Sequence, residues 1–178
     1  MAVRNYLIEG GSGVGKTTVA DELERRGYHV IHGDRQLALR GDPVTGKPVN
    51  GPSWATRSDA VWWHAHHVWD VDTVRSHVAD RDHPATFFCG GARNFHQFID
   101  LFDAVFVLEV DLETLNRRID QRVALNPEEW GGRPEERALI ARLHATGEDV
   151  PKDAVRIDAS APVAEVVDDI LSRCGEGP

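Results

Sequence analysis

One segment near the start of the chain constrains it more than any other. Gly10-Gly11-Ser12-Gly13-Val14-Gly15-Lys16-Thr17-Thr18 contains the pattern G-x-x-x-x-G-K-T, from Gly10 to Thr17. A short β-rich apolar run, Tyr6-Leu7-Ile8, precedes it. Val19, Ala20 and Leu23 follow at helical spacing, and Gly27 ends that helix. A glycine-rich turn between a strand and a helix directs backbone N–H groups around a phosphate, and the helix N-terminus adds its positive end. In this setting a lysine reaches the β- and γ-phosphates and the following hydroxyl ligates Mg²⁺. The expected nucleotide contacts are therefore Gly11, Ser12, Gly13, Val14, Gly15, Lys16, Thr17 and Thr18, with ATP and Mg²⁺ as the implied ligands and Thr17 as a metal ligand.

Four more runs read as buried strands: Tyr28 to His32, Ala85 to Cys89, Ala104 to Val110 and Ala154 to Asp158. Helical patterns lie between them. Helices are expected within Ser58 to Val78, from Phe95 to Leu101, from Leu112 to Arg122 behind a capping Asp111, from Glu135 to His144, and on the stripe Val163, Val166, Val167, Ile170 and Leu171. Five short strands alternating with helices imply a parallel sheet covered on both faces, with ligands beyond the carboxyl ends of the strands. A length of 178 residues fits one domain. A net charge of −9 makes a nucleic-acid partner a poor expectation, because phosphate contacts need clustered cations. No apolar run is long enough to span a bilayer. Cys89 and Cys174 lack metal-ligand spacing and read as two free thiols. With a phosphate loop opening at Gly10 there is no room for a secretory apolar region, so the expected location is the cytoplasm.

These residues together resemble the small P-loop kinases of the adenylate-kinase, shikimate-kinase and nucleoside-kinase group. The resemblance covers most of the chain and is weakest from Arg40 to Arg81. It implies an α/β three-layer P-loop NTPase fold whose five-stranded parallel sheet is ordered 2-3-1-4-5. It also implies an acceptor-binding insertion at about residues 40–80 and a short lid at about 123–135.

By that resemblance, Asp34 after the second strand is the expected general base and an outer-sphere Mg²⁺ ligand, a role compatible with capping the helix that follows. Gly90 and Gly91 after the third strand resemble a glycine-rich turn where backbone amides approach the acceptor, and Arg93 is expected to grip it. Arg118 and Arg122 share a helix face and resemble the arginines leading into the lid. Arg118 is expected over the adenine and Arg122 on the phosphates, with Arg133 as a further lid cation. Ser160 lies on the turn expected to pass the base edge. Lys16, Asp34 and Arg122 are thus the expected catalytic residues.

The segment between the second and third strands carries Trp54, Trp62, Trp63 and Trp69 among His64, His66 and His67. The histidines lack the further ligands an organised metal site needs. The tryptophans either pack as ordinary core or stack on a planar acceptor; Trp62 is carried as an acceptor contact, with Arg57 beside it. A nucleoside is the favoured acceptor and a nucleotide the second. A shikimate-like alcohol, a sugar acid or an antibiotic hydroxyl is a third option, and a non-kinase ATP-binding switch is the alternative of another class. Asp111-Leu112-Glu113-Thr114 stands where a guanine-reading N-K-x-D would lie, which argues against a GTPase. The oligomeric state stays open.

Overall fold

The strands of this chain are buried on both faces, and that decides its layers. A computed structural model describes residues 3–56 and 58–175. In chain order the elements are β1 (Arg4–Glu9), α1 (Lys16–Arg25), β2 (His29–His32), α2 (Gly33–Gln36), β3 (Ala38–Arg40), α3 (Ala60–Ala65), β4 (His67–Trp69), α4 (Val71–Ala79), β5 (Ala85–Cys89), β6 (Ala104–Glu109), α5 (Leu112–Leu125), α6 (Pro134–Thr146), β7 (Val155–Asp158) and α7 (Val163–Cys174). Two 3-10 turns, Phe95–Gln97 and Ile99–Leu101, lie between β5 and β6.

The main sheet is parallel and ordered β2-β5-β1-β6-β7, which is the 2-3-1-4-5 arrangement counted over its own strands. In the centre, Leu7 faces Phe88 on one side and Val105 on the other, and Ile8 faces Cys89 and Phe106. Successive residues feed opposite layers. Tyr6, Ile8, Phe87 and Phe106 pack with Leu23 of α1, Ile119 of α5 and Ile170 of α7. Leu7, Ile31 and Phe88 pack with Trp69, Val74 and Phe98 on the other face.

The stretch between β2 and β5 departs from the expected run of helix. β3 and β4 form an antiparallel pair in which Arg40 faces His67 and Ala38 faces Trp69. The helix expected from Phe95 is instead a pair of 3-10 turns. Its entrance is pinned: the buried Asn94 side chain accepts from the Trp69 N–H and donates to the Trp69 carbonyl, both at 2.9 Å. A second strand thus holds this loop by side-chain bonds, which overrides local helical spacing. Both cysteines are free thiols. No helix among the described residues is long and apolar enough to cross a membrane.

Candidate active site

All five main-sheet strands end on one side, and the loops there enclose a cleft of about 1610 Å³. β1 delivers the glycine loop into it. Gly15, with φ +106°, sits at the N-cap of α1 in the left-handed region, where a side chain is strained. Gly13, with φ +83°, lies so close to Ile119 that an added Cβ would come within 2.8 Å of that side chain. The loop is therefore seated on α5. The Lys16 amine donates to the carbonyls of Gly10 and of Gly11, the latter at 2.8 Å. Burial lowers its pKa, and the charges of Asp34 and Glu9 oppose that shift.

α2 presents Asp34 to the same cleft, and its Oδ1 lies 3.1 Å from Nε2 of His67 on β4. Burial alone would raise this carboxyl. The His67 hydrogen bond and the charges of His67, Lys16 and Arg93 outweigh it, and the carboxyl is held below its ordinary value. Asp34 and Lys16 thus bracket the space between the phosphate loop and the insertion.

A second charged network lies behind them. Glu9, the last residue of β1, is 1% exposed, and burial raises its carboxyl pKa to about 8 against the pull of Arg93 and Lys16. Arg93 approaches it at 3.4 Å and is gripped from the other side by Asp149, through the backbone carbonyl at 2.6 Å and the carboxylate at 3.3 Å. His64 of α3 reaches the same Asp149 carboxylate at 3.3 Å. Core, insertion and the loop after α6 are thus tied at one point.

The end of the cleft nearest the glycine loop is organised by α5. Arg118 donates to the carbonyls of Val14 and Ala159, each at 2.8 Å, bridging the phosphate loop to the turn after β7. Arg122 donates to the Trp130 carbonyl at 2.6 Å, so it holds the segment joining α5 to α6. That segment, residues 126–133, reaches across to the insertion. Arg133 donates to the Thr56 carbonyl at 2.5 Å and the Ala55 carbonyl at 3.3 Å. The Trp130 ring stacks on Trp54 at 6.4 Å.

The sequence-derived candidates distribute unevenly around this cleft. Gly11 to Thr18, Asp34, Gly91, Arg93, Arg118 and Arg122 all line it. Trp54 and Trp63 form part of its wall, whereas Trp62 packs away from it, stacked on His66 at 4.1 Å and lying over Gly51. Gly90 is explained by packing: an added Cβ would meet Trp69 at 2.8 Å. At Gly91 a Cβ would meet Arg93 at 3.0 Å and Glu9 at 3.2 Å. The Ser160 hydroxyl is engaged by Asp158 at 2.5 Å, outside the cleft lining. Arg57 lies outside the described residues. Glu9, Arg40, Trp130 and Asp149 were not singled out from the sequence. Only Glu9 carried a usable signal, as a charged residue inside an otherwise buried strand just before the loop.

A glycine-rich G-x-x-x-x-G-K-T loop after the first strand, a carboxylate after the second and an arginine-bearing helix on a five-stranded parallel sheet define a P-loop kinase fold. The chain belongs to the AAA domain family, whose sequence model matches residues 7–142. No curated protein matches it. Three solved structures are similar over nearly their whole length. A shikimate kinase from Bacteroides thetaiotaomicron aligns with a TM-score of 0.58 at 16% identity, covering 98% of this chain and 99% of that one. A sugar kinase from Janibacter sp. HTCC2649 aligns at 0.54 and 16%, covering 99% and 97%. A gluconokinase from Sinorhizobium meliloti 1021 aligns at 0.54 and 19%, covering 95% and 90%. At these identities the likeness establishes the fold.

Proposed function

We propose that this protein transfers the γ-phosphoryl group of ATP to a hydroxyl of a small-molecule acceptor. The observation that carries the reading is that Lys16 of the glycine loop and Asp34 of α2 line one cleft, near enough for the Asp34 charge to act on the Lys16 amine. The volume of the cleft, about 1610 Å³, exceeds the ~300–1,000 Å³ usual for a single small ligand. In this reading the nucleotide lies along Gly11 to Thr18 and under Arg118. Asp34, ionised at neutral pH, accepts a hydrogen bond from the acceptor hydroxyl and takes its proton as the oxygen attacks phosphorus. The new O–P bond forms as the bond between the β–γ bridging oxygen and the γ-phosphorus breaks, releasing ADP. Lys16 and Arg122 offset the charge on the transferring group and on the leaving diphosphate.

The residues fit a Mg²⁺ ion. Thr17 is exposed, and among the described residues its hydroxyl makes no hydrogen bond; Asp34 adds a carboxylate, so the donors are the oxygen ligands this cation takes. Thr17 and Asp34 would hold the ion, which supplies charge neutralisation at the phosphates when bound. The acceptor is read as a small hydroxylated metabolite. The nucleoside favoured from the sequence has no counterpart in the names of the similar structures, which are a sugar kinase, a gluconokinase and a shikimate kinase.

The test is a phosphorylation screen with ATP, Mg²⁺ and pooled sugars, hydroxy acids, nucleosides and nucleotides, read by mass spectrometry beside a Lys16→Ala control. A Lys16-dependent product is expected. ATP binding with no phosphorylated product in any pool, and steady ATP hydrolysis instead, would replace the kinase with an ATPase switch.

A further inference from the structure

Three basic side chains lining the acceptor half of the cleft already have carboxyl partners within the protein. Arg93 lies against Asp149 and Glu9, His64 against Asp149, and His67 against Asp34. Arg40 differs. Among the described residues no carboxylate lies within 4.0 Å of it, although the chain carries a net charge of −9.

Arg40 is also held in place. Its guanidinium lies 3.8 Å above the Trp63 ring centroid, and its Nη1 donates to the Pro52 carbonyl at 3.2 Å. Its Nε is buried with no hydrogen-bond partner. Stacking on an indole fixes the plane of the fork and, among the described residues, leaves Nη2 without a hydrogen-bond partner; a planar fork loses little freedom when it meets a carboxylate. Its register places it beside the chemistry. Arg40 pairs directly with His67 across β3 and β4, and such pairs project from the same face of the hairpin. His67 holds Asp34. Arg40, His67, Asp34 and Trp63 all line the same cleft.

We infer that Arg40 selects the acceptor by binding a carboxylate on it, so that the substrate is a small polyhydroxylated acid held with a hydroxyl toward Asp34. This rests on the kinase reading above and narrows its substrate class. A carboxylate is preferred to a phosphate ester by charge. One unpaired cation matches a monoanion, whereas a phosphate dianion calls for a second, and among the described residues the acceptor half offers no second arginine free of a carboxylate. A neutral nucleoside would leave Arg40 without a counterion in the closed cleft, at a desolvation cost.

The experiment is calorimetric titration of the full chain with ADP and Mg²⁺ present. The probes are D-gluconate, D-glycerate and shikimate, each beside its carboxamide, with ribose 5-phosphate and uridine as further arms. Wild type is expected to bind an acid more tightly than its amide. Arg40→Gln should weaken the acid by about 10- to 100-fold, the range for a charge-assisted hydrogen bond, and leave the amide unchanged. Arg40→Lys should recover part of the loss, because it restores charge without the fork. Equal ADP affinity in all three proteins shows that the variants are folded. Acid and amide binding alike, acid binding indifferent to Arg40→Gln, no acid binding, or a preference for ribose 5-phosphate or uridine would each overturn the assignment. Replacing ADP by ATP in the same samples separates this inference from the kinase reading. Arg40-dependent acid binding without phosphoryl transfer removes the kinase and leaves the acid site, whereas transfer to a neutral acceptor alone does the reverse.

Discussion

Glu9→Gln isolates the cost of holding a carboxyl group under the phosphate loop. In the folded chain its pKa is raised from 4.5 to about 8, chiefly by burial, while Arg93 and Lys16 limit the rise. Between those two values the folded chain keeps a proton that the unfolded chain has released. Stability is therefore highest below the unfolded value and falls as pH rises through the folded one. At about 1.4 kcal/mol per pKa unit, the loss attributable to Glu9 is about 4 kcal/mol between about pH 5 and about pH 9. That is a large part of the ~5–15 kcal/mol that stabilises an ordinary domain. Glutamine has nearly the same shape and no titration. The assay is urea unfolding of both proteins at several pH values across this window. The difference in stability between variant and wild type should grow steadily in the variant's favour as pH rises. Its change with pH is the quantity read, because the amide's own hydrogen bonds offset both ends alike. A difference that stays constant from acid to base would refute the buried-proton account of Glu9.

Other perturbations follow from the same contacts. Asp34→Asn should lower kcat by about 10²- to 10⁴-fold and weaken ADP affinity far less by calorimetry, since proton transfer rests on this group whereas the nucleotide is held mainly by the glycine loop. Because His67, Lys16 and Arg93 hold the Asp34 carboxyl below its ordinary value, activity should persist to lower pH than a free carboxylate permits, and His67→Gln should move that acid limb upward in a pH–rate profile. Gly33→Ala should destabilise by about 1–3 kcal/mol and change the near-ultraviolet dichroism of tryptophan, because its Cβ would lie 2.1 Å from the buried Trp69 ring. Trp130→Ala removes the stack on Trp54; faster proteolysis within residues 126–133 is the expected readout, with the global unfolding midpoint little changed.

The main sheet was legible because its strands are short, rich in β-branched and aromatic residues and buried on both faces, so each stands out as an apolar run without needing a partner. The order of those strands came from resemblance, not periodicity. The β3–β4 pair was hidden for the opposite reason. Ala38-Leu39-Arg40 follows a helical turn, and His67-Val68-Trp69 continues the helical spacing of Val61 and Ala65. Only their pairing with each other, Leu39 to Val68 and Arg40 to His67, makes them strands. The 3-10 turns after β5 are a similar case, since the Asn94 clamp on Trp69 is invisible from within the segment it controls.

The site divides along the same line. The phosphate loop is contiguous, so one stretch of sequence states its whole chemistry. The rest of the cleft is built from pairs far apart in the chain: Asp34 with His67 at a separation of 33 residues, Arg93 with Asp149 at 56, Arg93 with Glu9 at 84. A residue's charge shows in the sequence, but whether that charge is already neutralised does not. Arg93, just beyond the end of a strand, looked like the cation that would hold the acceptor, and the fold sets it against the Asp149 carboxylate and the Glu9 carboxyl group. Arg40 stood in a stretch where the resemblance was weakest, and the fold gives it an indole and no carboxylate among the described residues. On the inference drawn above, selection of an anionic acceptor falls to the hairpin rather than to the strand end. On that proposal, β1 keeps a protonated Glu9 beneath the glycine loop, and the segment between β2 and β5 supplies the charge that chooses the substrate.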